Sequence, residues 1–155
     1  MKNANSAKDA VNMLVKDHHD VKAMFKQFED LTDRSKAKKK QLADQICEAL
    51  TLHTQLEEKI FYPAVRKAIG EEDLMDEALV EHASAKELIA EIEMMDPGDD
   101  LYDAKVHVLS EQIEHHVQEE ETEMFPKARK SKLDLVELGE EMSALKAELQ
   151  GEALE

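Results

Sequence analysis

Only four glycines and three prolines interrupt 155 residues. A chain with so few breakers is confined to a handful of long, continuous elements. No segment alternates apolar and polar residues as a half-buried strand would. Ala, Leu, Glu, Lys, Gln and Met dominate, and all favour helix. The chain is therefore expected to be all-α. A first helix is expected from Ser6, with Asp9 three residues on, to about Asp30. A loop at Thr32-Asp33-Arg34-Ser35 leads to a second helix from about Lys36 to Ile69, with Gly70 as its stop. The third starts near Asp73 and ends before the turn Asp96-Pro97-Gly98-Asp99. The fourth runs from about Asp100 to Lys130. A shorter fifth, Leu133 to Leu149, carries Leu135, Leu138, Met142, Leu145 and Leu149 at helical spacing. Short connections make neighbours antiparallel, which gives an up-down-up-down four-helix bundle with a short C-terminal fifth helix.

The net charge of −16 argues against nucleic acid and anionic membrane as main partners, since both require a basic surface. The run Lys38-Lys39-Lys40 is read as a solvated face near a helix start. Cys47 is the single cysteine, so neither an internal disulfide nor a thiolate metal site can form, and it is read as a small buried hydrophobe. No apolar run reaches signal-peptide or membrane-spanning length. A cytoplasmic location is the resulting expectation.

The chemistry lies in the histidines. Four His-x3-Glu tetrads occur, at His53/Glu57, His107/Glu111, His115/Glu119 and His116/Glu120. Glu is so abundant, at 23 of 155 residues, that the tetrad alone carries little weight, and helical phase must decide. His18 falls on the stripe of Val11, Leu14, Val21, Phe25 and Phe28, whereas His19 falls on a polar face. His53 and Glu57 share the stripe of Leu42, Ile46, Ala49, Ile60 and Ala64. His82 is flanked by Met75, Ala78, Ala85, Ile89 and Ile92. His116 and Glu120 continue the line of Val106, Leu109 and Ile113, while His107 and His115 turn away. Each helix thus brings one histidine inward, and the second and fourth each add a glutamate. Two buried carboxylates facing each other would repel. A bound cation removes that cost and supplies a partner to all six groups, so His18, His53, Glu57, His82, His116 and Glu120 are expected to form a metal site.

The segments HTQLEEKIFYP and HVQEEETEMFP align as His-x3-Glu-Glu-x3-aromatic-Pro, with His18 and His82 lying 35 and 34 residues upstream of the two repeat histidines. Two equivalent helix hairpins point to a pseudo-two-fold site for two metals, with one Glu from each hairpin as a bridge. Pro63 and Pro126 are expected to kink or end their helices just past the site. Imidazole and carboxylate without thiolate suit iron or manganese rather than structural zinc. No histidine has Glu three residues before it, which separates the pattern from ferritin-like Glu-x-x-His bundles.

DHHDVKAMF, HTQLEEKIFYP, EHASAKEL and IEHHVQEEETEMFPKARK, in that order over roughly residues 8 to 130, resemble the hemerythrin-like, His-His-Glu cation-binding domain family. The tail LDLVELGEEM resembles the family's usual ending. The resemblance implies a bundle over residues 1–130 and a helical extension over 131–155 packed on it. It implies two iron ions, oxo- or hydroxo-bridged, with His18, His53, His82 and His116 as terminal ligands and Glu57 and Glu120 as bridging carboxylates. In the invertebrate oxygen carriers of the family a second third-helix histidine stands where this chain has Lys86. Their fourth-helix carboxylate is an Asp five residues after its His, whereas Glu120 follows His116 by four. Glu81, Glu58, Tyr62 or solvent are left to fill the vacated position.

The function so implied is a non-haem di-iron protein that binds, senses or scavenges dioxygen, nitric oxide or reactive oxygen species. The alternatives are a peroxide-decomposing di-iron enzyme, with Tyr62, Tyr102 and Glu58 as proton donors by residue type, an iron-handling protein, or a metal-free helical interaction module. An apolar wall of Phe25, Phe28, Ile60, Val106 and Ile113 is expected to limit water at the site.

Overall fold

The computed structural model describes residues 9–32 and 34–154, with side chains described as far as Gly151. The expected start at Ser6 lies outside the described residues. Within them Asp9, in extended backbone, accepts the Asn12 N–H at 2.7 Å and caps α1 (Ala10–Glu29). The second rod is compound: α2 (Lys36–Leu56), a π-helical turn π1 (Glu57–Phe61) and α3 (Tyr62–Ile69). Gly70 closes it in the left-handed conformation at φ 66°, donating to Arg66 O. The third rod is α4 (Glu72–Glu93). The fourth is again compound: α5 (Tyr102–Glu119), π2 (Glu120–Met124) and α6 (Phe125–Lys130). Leu101 sits at φ 73°, so the fourth rod begins at Tyr102 and not at Asp100.

The bundle is antiparallel: α1 packs on α2 and α4 on α5. The fifth helix, α7 (Leu135–Leu154), is longer than expected and starts after Asp134, whose Oδ1 accepts the Glu137 N–H at 3.0 Å. It lies across α1 and α2, and seats Leu138 and Met142 in the core. No helix among the described residues is long and apolar enough to cross a membrane.

The prolines do not end their rods. Each stands in the first turn of the helix after a π-turn, in which Tyr62 N–H bonds Glu57 O and Phe125 N–H bonds Glu120 O. One residue too many per turn absorbs the missing proline donor and rotates everything beyond it. That rotation corrects the expected stripe. Ile60 and Ala64 are only partly buried, whereas Phe61, Tyr62 and Val65 turn fully inward.

The core is split. One apolar cluster gathers Leu14, Leu56, Phe61, Val65, Met75, Met124, Phe125 and Met142. The other gathers Phe25, Phe28, Ile46, Leu50, Ile89, Tyr102, Val106 and Leu109. Between them, on every rod, lies a buried polar layer.

Candidate metal centre

The layer consists of His18, His53, Glu57, His82, His116 and Glu120, all buried, with Glu57 at 0% and Glu120 at 1% exposure. Their donor atoms fall into two groups that share both carboxylates: His18, His53, Glu57 and Glu120, then Glu57, His82, His116 and Glu120. The glutamates cross the hairpin boundary. Glu57 Oε1 lies 3.4 Å from His53 Nε2 in its own hairpin and 3.0 Å from His82 Nε2 in the other. Glu120 lies 3.3 Å from His116 Nε2 and 3.2 Å from His18 Nε2. His18 Nε2, His53 Nε2, Glu57 Oε2 and Glu120 Oε1 are nevertheless buried without a hydrogen-bond partner. Donor atoms that meet closely yet leave one another unsatisfied are what a cation between them would complete.

The outer nitrogens are all engaged. His18 Nδ1 meets Glu121 at 2.7 Å, His53 Nδ1 meets Asp17 at 3.0 Å, His82 Nδ1 meets Glu58 at 2.8 Å and His116 Nδ1 meets Glu81 at 2.6 Å. Each carboxylate keeps a proton on the outer nitrogen and turns the Nε2 lone pair inward, which is how metal-binding imidazoles are usually oriented. Asp17 and Glu81 reach across within a hairpin, whereas Glu58 and Glu121 reach between hairpins. Glu58 and Glu81, expected as candidates for an extra ligand, occupy this outer ring instead. The sequence signal was present: an acid directly precedes His18 and His82, and a second Glu follows Glu57 and Glu120.

Tyr62, a candidate by residue type for the vacated position and for a proton donor, lies in the layer. Five residues after Glu57, it would point aside on a straight α-helix, but the π-turn brings it round. Its hydroxyl donates to Glu120 Oε2 at 2.6 Å and lies 3.3 Å from Glu57 Oε1 and 3.1 Å from both His82 Nε2 and His116 Nε2. Tyr102, the other tyrosine weighed as a proton donor, lies in the second apolar cluster away from this layer. Phe125, the counterpart of Tyr62 in the second repeat, stacks on His18 with ring centroids 5.9 Å apart.

The carboxylates and imidazoles of the layer shift one another's titration. Burial alone lowers the His53 and His116 pKa values, but the Glu57 and Glu120 carboxylates override it and hold them at about 10 and about 12. His18 is raised for the same reason, against its burial. Glu57, which burial would raise, is held well below its ordinary value by His53 and its other hydrogen-bond partners. Burial and the two carboxylates push the Tyr62 hydroxyl far up, so it stays protonated. His115 and His107 lie outside, 66% and 61% exposed at the side chain, and His19 is exposed. Cys47 is buried among apolar groups, where burial pushes its thiol up to about 12.

A cavity of about 170 Å³ borders all four inward histidines. Its apolar lining is Val21, Leu50, Ala85, Ile113 and Val117. Of the wall expected from sequence, only Ile113 is in it. Phe25, Phe28 and Val106 belong to the apolar cluster beyond, and Ile60 packs on the opposite one.

A four-helix bundle with a sequestered His/Glu layer defines a cation-binding domain. The chain belongs to the family described as the hemerythrin HHE cation binding domain, which matches residues 9–128. A DNA nickase from Nostoc sp. (strain PCC 7120 / SAG 25.82 / UTEX 2576) is 30% identical over 113 residues, covering 73% of this chain. The chain spans about a third of that relative, 31% of its length. The fold is similar to the crystal structure of a hemerythrin HHE cation binding domain-containing protein, the Rv2633c homolog from Mycobacterium kansasii. The two share a TM-score of 0.80 and 24% identity, over 94% of this chain and 90% of that one.

Proposed function

We propose that the chain is a non-haem di-iron protein that binds a small oxygen or nitrogen species (dioxygen, nitric oxide or peroxide) beside the His/Glu layer and senses or scavenges it. The observation that carries this reading is the double orientation of the histidines: four Nε2 atoms converge on two shared carboxylates while four separate carboxylates hold the four Nδ1 atoms. His18, His53, His82 and His116 would hold the ions at the ends, and Glu57 and Glu120 between them. Six nitrogen and oxygen donors without a thiolate fit iron. Two iron ions held there supply redox chemistry that protein side chains lack. The protein's own part is to fix the imidazoles, keep bulk water out with an apolar lining, and hold a proton on Tyr62 Oη next to Glu120.

That buried proton favours a second reading, a peroxide-decomposing enzyme, because general acid catalysis needs a proton held at the reacting centre. No DNA-cutting role is proposed: a net charge of −16 opposes a nucleic-acid surface. Metal analysis of protein purified after growth with ample iron tests the reading. About two iron atoms per chain and near-ultraviolet charge-transfer absorption are expected; a metal-free product overturns it.

A further inference from the structure

We infer that Gln112 contacts the small ligand and makes the cavity prefer one that donates a hydrogen bond, such as hydrogen peroxide, over dioxygen or nitric oxide, which carry no proton. The inference rests on the proposed function and assigns the ligand class to that site.

The cavity's lining follows the pseudo-two-fold almost throughout. Val21 pairs with Ala85, Leu50 with Ile113, His53 with His116 and Thr54 with Val117. Ser84, His115 and Gln112 break the pattern; the first two are exposed, and Gln112, which is not, has Ala49 as its counterpart one turn before His53. The bundle thus closes at this position without an amide. Gln112 lines the cavity, and its Oε1 is buried with no hydrogen-bond partner. An amide oxygen left unsatisfied in a folded interior is costly, and such groups are retained where water or a ligand completes them.

The surrounding chemistry sets what can complete it. The imidazole N–H groups are directed at Asp17, Glu58, Glu81 and Glu121. The Thr54 hydroxyl donates to Thr51 O at 3.0 Å. The cavity therefore presents an unpartnered acceptor at Gln112 Oε1, while its inward imidazole and Thr54 donors are committed, its Asp17 and Glu81 carboxylates hold His53 and His116, and its remaining polar residues, Ser84 and His115, are exposed. Hydrogen peroxide can donate to Gln112 Oε1; dioxygen and nitric oxide cannot.

The test uses iron-loaded wild type and Gln112→Met, which matches the side-chain length without the amide. Gln112→Ala, which copies Ala49, serves as a second apolar variant. Each is titrated optically with hydrogen peroxide, with azide, which at neutral pH only accepts hydrogen bonds, and, after anaerobic reduction, with nitric oxide. Both variants are expected to bind iron normally and to need about fivefold more peroxide for half-saturation, the effect of one lost hydrogen bond. Azide and nitric oxide are expected to be unchanged. Unaltered peroxide binding at full iron content overturns the inference. So does an equal loss for nitric oxide, which would mark a packing effect, or a loss for azide, which would mean that the amide presents its N–H. A wild type that binds no iron sinks the proposed function itself and is recognised before any titration.

Discussion

The two hairpins carry the same polar set in different surroundings. Asp17, His18, His53, Glu57 and Glu58 in the first correspond to Glu81, His82, His116, Glu120 and Glu121 in the second, and each makes the corresponding contact across the centre. Beyond that set the halves diverge. Tyr62 corresponds to Phe125, Ala49 corresponds to Gln112, and α7 packs chiefly on the first hairpin, seating Leu138 and Met142 near Leu56, whose counterpart is the partly exposed Glu119. Symmetry is kept in the two donor groups that could hold a metal ion. It is broken at Tyr62, whose hydroxyl meets His82, His116 and Glu120, and at Gln112, which lines the cavity. Under the proposed function, holding ions and acting on a ligand fall to separate residues.

The largest expected effect attacks the symmetric part. Glu57→Ala and Glu120→Ala each remove a donor from both pockets, so each is expected to reduce the metal content from about two ions to below one per chain. Metal analysis checks this; one ion retained in either variant would show that the carboxylate serves a single pocket. The next effect breaks the asymmetry. Tyr62→Phe gives the first hairpin the residue of the second. It is expected to keep iron and to slow peroxide turnover by about 10²-fold or more, the usual contribution of a positioned proton donor. If Tyr62→Phe instead loses iron from one pocket, the phenol itself holds the ion. Smaller again are Asp17→Asn and Glu81→Gln, the paired within-hairpin carboxylates. Each is expected to weaken metal binding by about 10- to 100-fold. Equal losses in competitive chelator titrations support two equivalent pockets.

Much of this was legible in the sequence, for local reasons. His18, His53, His82 and His116 declare their direction because α-helical phase is rigid over a turn or two, and all four are upstream of any irregularity. Phase fails beyond Glu57 and Glu120. A π-turn leaves no mark in apolar periodicity other than a shifted one, so periodicity puts Ile60 on the inward stripe and leaves Tyr62 a candidate by residue type alone. The outer carboxylates were visible as letters but not as partners, since Glu58 reaches His82 and Glu121 reaches His18 only once the hairpins dock. The fourth rod starts two residues later than the sequence suggests because Leu101 takes a left-handed turn that is unusual for a leucine.

Protonation gives a smaller, two-sided effect on the protein without metal. Raised imidazole pKa values contribute stability that is fully present below the unfolded value of 6.5 and lost as pH rises through the folded values, about 10 for His53 and about 12 for His116. The depressed Glu57 works oppositely, contributing above its ordinary 4.5 and losing that contribution as pH falls through its folded value. Thermal melts of metal-free protein are therefore expected to show a lower Tm at pH 10.5 than at pH 8. Metal-loaded protein, whose imidazoles are bound neutral, should lose less over the same interval. Identical alkaline losses with and without metal would mean that these histidines do not carry the dependence.

The smallest effect concerns a lysine. Lys86 stands four residues after His82, as Lys22 stands after His18, and its ammonium lies 2.7 Å from Glu58 Oε1 while Glu58 Oε2 holds His82. By drawing charge from Glu58, Lys86 weakens the pull of that carboxylate on the His82 Nδ1 proton and makes the imidazole a poorer donor. The pair is half-exposed, so solvent screens most of this. Lys86→Met is accordingly expected to change metal affinity by less than about fivefold, and to shift the charge-transfer band more than Lys22→Met does. Equal spectra for the two variants would place the difference between the hairpins entirely at Tyr62 and Gln112, with the outer ring as symmetric electrically as it is geometrically.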